Sequence, residues 1–317
     1  MIGELTIERI REAQRRIAPH VIRTPVLRHR GRRGELFLKA ESLQPTGAFK
    51  LRGAFNRMLR LPGGCPGVVA HSSGNHGRAV ARAARVLGLH ALIVMPSDAP
   101  DHKREAARVE GAQIVTVGRD SEERARRAER LARERGWELI PPFDDPDVVA
   151  GQGTAALELC EEVAPAGGLA HFYAPIGGGG LMAGCAVAFA ALCPGVEIVG
   201  VEPEARDSVR RSLAEGRRLP CAQPPDTLAD GLRVRAPGVR PWPLLHQHLT
   251  RVEAVGDAAL LEAMAFALRE LRLVLEPSGA AALAVALRED LGASGVLLSG
   301  GNVDPELLAR VAALAHR

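Results

Sequence analysis

The sequence predicts an α/β fold of two open twisted domains with largely parallel sheets, and three observations carry that prediction. Short apolar runs alternate with helix-period segments along nearly the whole chain. The runs are apolar at almost every position, and glycine-rich turns follow several of them. A strand apolar on both faces must be covered on both, which is the condition of a parallel sheet flanked by helices.

The elements follow in order. Residues 1–20 form an amphipathic helix whose acids and arginines leave no apolar segment of the kind a signal peptide needs. Strands are expected at 67–73 (GVVAHSS), 90–96 (HALIVMP) and 111–117 (GAQIVTV), with helices at 75–88, 100–110 and 120–136 between and after them. A second series places strands at 171–177, 197–203 and 294–302, and helices around 153–165, 180–193 and 257–272. The two series part near 141–151 (PPFDDPDVVAG). The proline-rich stretch 237–247 (PGVRPWPLLHQ) reads as a surface connection.

Composition excludes several classes of function. The 41 Lys plus Arg against 37 Asp plus Glu leave a net charge of only +4. The densest basic run, 122–136 (EERARRAERLARERG), interleaves Glu with Arg as a solvated helix does. With 3% aromatic residues there are few platforms on which nucleic-acid bases could stack. No apolar stretch approaches the roughly 20 residues of a membrane span. Cys65, Cys160, Cys185, Cys193 and Cys221 are scattered, without metal-site or disulfide spacing, as in a reducing compartment. A cytoplasmic protein with no nucleic-acid or membrane partner is expected.

Positive charge is supplied almost wholly by arginine, and the only lysines are Lys39, Lys50 and Lys103. Arginine cannot act as a nucleophilic amine, whereas a desolvated lysine can. Lys50 lies in TGAFKLRG (46–53). Three loops add polar atoms after strands. APIGGGGLMAG (174–184) brings four glycines to the start of an apolar helix, a backbone suited to an anion such as phosphate. HSSGNHGRAVA (71–81) offers hydroxyls, an amide and helix-start N–H groups that suit a carboxylate. LLSGGNVD (297–304) ends a strand in Ser299. A nicotinamide-dependent oxidoreductase would use a similar glycine turn, but the G-x-G-x-x-G register is missing.

In their order along the chain these motifs resemble the serine/threonine dehydratase and serine racemase family of fold-type-II pyridoxal-phosphate enzymes. The resemblance also takes in ESLQPTGAFKLRGAFN (41–56), VMPSDAPDHKREAARVEGAQIV (94–115), GVEPE (200–204), TLADGLR (227–233) and EPSGAAALA (276–284). It implies a large cofactor-binding domain of residues 1–51 plus 143–317, a small mobile domain of residues 52–142, and the cofactor between them. It further implies that Lys50 binds pyridoxal 5'-phosphate covalently, with Phe49 packed beside the cofactor and Gly177, Gly178, Gly179 and Gly180 on the phosphate. Asn75 would bond the ring's phenolic oxygen, and Ser299 would face the pyridine nitrogen. Ser72, Ser73, Gly74, Asn75 and His76 would clasp the substrate carboxylate, with Ser73 a second acid/base opposite Lys50.

The implied reaction is α,β-elimination of L-threonine or L-serine to 2-oxobutanoate or pyruvate plus ammonia; serine racemase and 3-hydroxyaspartate dehydratase are the alternatives. A homodimer or homotetramer is implied. Relatives often bind Mg2+ through the Glu of VEP, here Glu202, a backbone carbonyl and a downstream Asp. Here Ser208 stands where that Asp is expected, and the adjacent Asp207 would point elsewhere. No regulatory segment follows the SGGN motif, so feedback by isoleucine is not expected.

Overall fold

A computed structural model describes residues 5–72, 74–118, 121–221 and 226–315. Ten strands form two sheets: β1 Val26–Arg30, β2 Glu35–Lys39, β3 Gly67–His71, β4 His90–Pro96, β5 Gln113–Val117, β6 Glu138–Leu139, β7 His171–Pro175, β8 Glu197–Pro203, β9 Arg251–Val255 and β10 Ser294–Leu297. The larger sheet runs β1-β2-β10-β7-β8-β9, parallel except for β1, and the smaller runs β5-β4-β3-β6, wholly parallel. The fold is therefore the doubly covered, two-domain α/β arrangement that the unbroken apolar runs imply.

Strand pleat sorts side chains to opposite faces. In the larger sheet Phe37, Phe172 and Leu297 join a core with helices Pro146–Val163 and Gly180–Leu192, while Leu36, Leu38, Tyr173 and Val296 face helices Asp257–Phe266 and Pro277–Glu289. In the smaller sheet Val68, Ala70 and Ile93 meet helices Lys50–Met58 and Asn75–Leu87, and Val69, Leu92 and Val94 meet helix Ser121–Arg135. Among the described residues no helix is long and apolar enough to cross a membrane.

Two expectations are corrected. The proline-rich stretch at 237–247 is not a plain connection, because Pro241–His248 is a helix. Pro241 occupies its first turn, where N–H groups have no intrahelical partner and a proline costs nothing. The helix expected over 257–272 is α-helical only through Phe266 and then widens into a π turn over Ala267–Leu271, ended by Arg272 at φ 58. The hairpin β1–β2, the short β6 and strand β9 were not foreseen at all.

Beneath helix Lys50–Met58 lies a buried ion cluster. Arg52, with no exposed surface, donates to both oxygens of Glu41 (2.7 Å each) and to Glu158 (2.7 and 2.8 Å). Lys39 donates to Glu158 at 2.6 Å and to the Thr24 carbonyl at 2.6 Å. Burial pushes the Glu41 carboxyl up, but Arg52 and Lys39 more than offset it and hold the pKa below the ordinary value. Every charge here has its partner, so removing one strands another. Arg52→Ala is expected to lower stability by about 3–5 kcal/mol in a denaturant titration. A loss below about 1 kcal/mol would show the cluster to be solvated, as surface pairs are.

Candidate active site

The C-terminal ends of β3, β7 and β10 open on one cleft of about 380 Å³, and all three loops singled out in the sequence line it. Phe49, Lys50, Ser72, Gly74, Asn75, His76, Gly177, Gly178, Gly179, Gly180 and Ser299 are among its walls. Ser73 lies outside the described residues.

Lys50 begins its helix immediately after a segment stitched to the β10 loop. The Phe49 N–H donates to the Ser299 carbonyl (3.1 Å), the Gly301 N–H donates to the Gly47 carbonyl (2.9 Å), and Ala48 bridges to Gly300. Its amine donates to the Pro142 carbonyl at 2.7 Å and lies 5.1 Å from the Phe49 ring centre. Among the described residues no carboxylate pairs with it. Loss of hydration alone pushes its pKa down to about 8.

The glycine turn is dictated by its surroundings. A Cβ on Gly178 would sit 2.2 Å from the Phe143 ring, and Gly179 holds φ at +92° to start helix Gly180–Leu192. The first turn of that helix thus presents its N–H end to the cleft, beside Lys50. This is an arrangement suited to an anion.

On the β3 side, Asn75 is fixed at both ends of its amide. Its Nδ2 donates to Glu276 at 2.5 Å, and its Oδ1 accepts from Asn302 at 2.8 Å. His76 is buried with Nε2 2.9 Å from the Ile140 carbonyl. Burial first, and then the Lys50 charge, push its pKa down to about 3; burial, Arg124 and Lys50 push His71 down to about 4. Both imidazoles are neutral at pH 7. Ser299 is buried, and its hydroxyl lies 3.4 Å from the Ser278 carbonyl.

The cleft also contains groups to which sequence reasoning gave no role. Glu276 is buried, and that burial, with Asp230 nearby, raises its pKa to about 7. Lys103 of the smaller sheet's helix Asp101–Val109 pairs with Asp230 across the cleft. The segments EPSG and ADG were visible in the sequence, but nothing local marked their acids as facing a cavity.

Glu202 does not fit the metal role proposed for it. It is fully buried, one oxygen accepts from Arg206 (3.2 Å) and the Val209 N–H (3.1 Å), and the other accepts from the Arg210 N–H (2.9 Å). Among the described residues no group of three His, Cys, Asp or Glu side chains is placed to hold a metal ion.

A family model described as "Pyridoxal-phosphate dependent enzyme" matches residues 17–300. The chain is 41% identical over 303 residues to L-threo-3-hydroxyaspartate ammonia-lyase of Saccharomyces cerevisiae, covering 92% of each. It is 36% identical to serine racemase of Schizosaccharomyces pombe, covering 96% of each. Among solved structures, a threonine deaminase of T.th. superposes with a TM-score of 0.89 at 45% identity, covering 94% of this chain and 99% of that one.

The cleft suits the cofactor that this family uses. A weakly basic amine meets an aldehyde's need, and a tetraglycine turn at a helix N-terminus meets a phosphate's. In the cofactor-free protein, Lys50 is expected to react with an acylating reagent with a midpoint near pH 8, read by peptide mass spectrometry. Below that pH it is an inert ammonium; above it, a free amine. A midpoint above about 10, the range of a solvated lysine, would contradict the desolvated site. By its fold, by its cleft and by its kinship, the chain belongs to the pyridoxal-phosphate-dependent enzyme family.

Proposed function

We propose that this protein is an ammonia-lyase for small 2-amino-3-hydroxy acids, L-threonine and L-serine foremost, yielding 2-oxobutanoate or pyruvate plus ammonia. The observation that carries this reading is the Lys50 amine, free of any carboxylate partner among the described residues and set where the three loops meet. When bound, pyridoxal phosphate supplies an electron sink for charge developing at Cα. Lys50 would hold the cofactor's aldehyde and would serve as the base for the Cα proton; its lowered pKa leaves a useful fraction unprotonated near neutral pH.

The N–H groups of Gly177 to Gly180 would hold the phosphate. Asn75, its amide kept in one orientation by Asn302 and Glu276, would hold the phenolic oxygen. Ser299 would offer the pyridine nitrogen a hydroxyl in place of a carboxylic acid. The loop Ser72, Ser73, Gly74, Asn75 and His76 binds the substrate carboxylate. Because the His76 ring is turned to Ile140, its share falls to the main chain. The ion pair between Lys103 and Asp230 spans the cleft and helps close it over the substrate. Residues 52–142 would move as the smaller domain against 1–51 plus 143–317.

A second reading has its own support. Relatives 41% and 40% identical act on L-threo-3-hydroxyaspartate, a substrate with one more carboxylate. Lys103, Arg124, Arg233 and Arg235 line the same cleft and could face that group.

A panel of L-threonine, L-serine and L-threo-3-hydroxyaspartate, read for 2-oxo acid and for inversion of recovered substrate, tests the assignment. Highest kcat/KM for threonine or serine with net 2-oxo acid is expected. A clear preference for hydroxyaspartate, or inversion outpacing elimination, would overturn it. Lys50→Ala is expected to lower turnover at least about 10²–10⁴-fold, the worth of the proton transfer alone, and to abolish the protein's visible absorption.

A further inference from the structure

Arg206 is a cation in an unusual place. It has no exposed surface, and its guanidinium donates to four oxygens: the Glu202 carboxylate (3.2 Å), the Ile176 carbonyl (3.0 Å), the Gly177 carbonyl (2.9 Å) and the Val234 carbonyl. Ile176 and Gly177 are the residues by which β7 enters the tetraglycine turn. Val234 belongs to the segment after Asp230 that lines the cleft. One buried charge therefore ties a carboxylate on β8 to two separate walls of the cofactor cleft.

A carboxylate and several carbonyl oxygens around one positive charge is the donor chemistry of a hard divalent cation. Here the acceptors are spread along a planar fork at N–H···O distances, which suits a guanidinium and not the tight octahedron that Mg2+ requires. The rest of the Glu202 carboxylate is taken by the Val209 and Arg210 N–H groups. Ser208, at the position where the family resemblance implies a further carboxylate ligand, has a buried hydroxyl with no hydrogen-bond partner among the described residues. Two changes thus agree: a ligand is lost and a cation is supplied by the chain itself.

We propose that Arg206 is a built-in replacement for the divalent ion of this site, a positioning residue that holds the glycine turn in shape for phosphate without any metal. The consequence is an enzyme whose cofactor retention is indifferent to divalent cations. No feature of the substrate enters, so failure of the substrate assignment leaves the inference standing, and the reverse also holds.

The test uses the holoenzyme. Titration calorimetry with Mg2+ and with Mn2+ is expected to show no stoichiometric binding, and chelator followed by Mg2+ is expected to change neither the melting temperature nor the cofactor absorbance. Arg206→Ala should weaken cofactor binding by about 10–100-fold, as loss of a group that orients a ligand site does. Arg206→Lys, which keeps the charge but not the fork, should recover part of that loss. The double variant R206A/S208D, which restores the missing carboxylate and vacates the cation's place, should regain cofactor affinity only with Mg2+ present. Stoichiometric Mg2+ or Mn2+ binding to the wild type, or loss of its cofactor on chelation, would overturn the proposal even if the alanine variants fail to fold. Unchanged cofactor affinity in Arg206→Ala would overturn it as well.

Discussion

The site depends on the way Arg52 is buried. Two residues after Lys50 on the same helix, its guanidinium is locked between Glu41 and Glu158, and Glu158 in turn holds Lys39 on β2. Helix Lys50–Met58 is thereby fixed to both the larger sheet and helix Pro146–Val163, while its other side packs in the smaller sheet's core. Such a cluster adds little net stability, because desolvation consumes most of its attraction, but it tolerates only one arrangement of its members. Its benefit here is position: the residue at the head of the helix is held at the seam between two domains.

Seen this way, the three lysines illustrate one rule with three outcomes. Lys39 is buried but paired with Glu158, so its amine is occupied. Lys103 is paired with Asp230 across the cleft. Lys50 is surrounded by protein but among the described residues meets only a carbonyl and an aromatic ring, which do not offset its lost hydration, and its pKa falls. Reactivity follows from what is withheld. The nearby histidines carry the same signature, since a cationic, dehydrated cleft keeps both neutral and leaves the positive potential for an anionic ligand.

Much of this was legible in the sequence. Unbroken apolar runs gave the parallel sheets, because a strand buried on both faces has no polar positions to hide. Strand-end glycines and serines marked the cleft, since open α/β sheets bind ligands at their carboxyl edge. What escaped had physical reasons. Strands β1 and β2 carry arginines and a buried lysine, so their polarity hid them. Helix Pro241–His248 was masked by prolines that a first turn accepts. Glu276 and Asp230 are ordinary acids until the fold brings them to one cavity. Arg206 looked like one more arginine among many, and only its complete burial against Glu202 and three carbonyls distinguishes it.

The central claim is that desolvation makes Lys50, and neither other lysine, the reactive amine of the cleft. Borohydride reduction of the holoenzyme followed by peptide mass mapping tests it most directly, because the chain offers only three lysines to choose among. A single phosphopyridoxyl group is expected, on the peptide containing Lys50. A label on Lys39 or Lys103, or a holoenzyme whose cofactor is released unmodified after reduction, would contradict it.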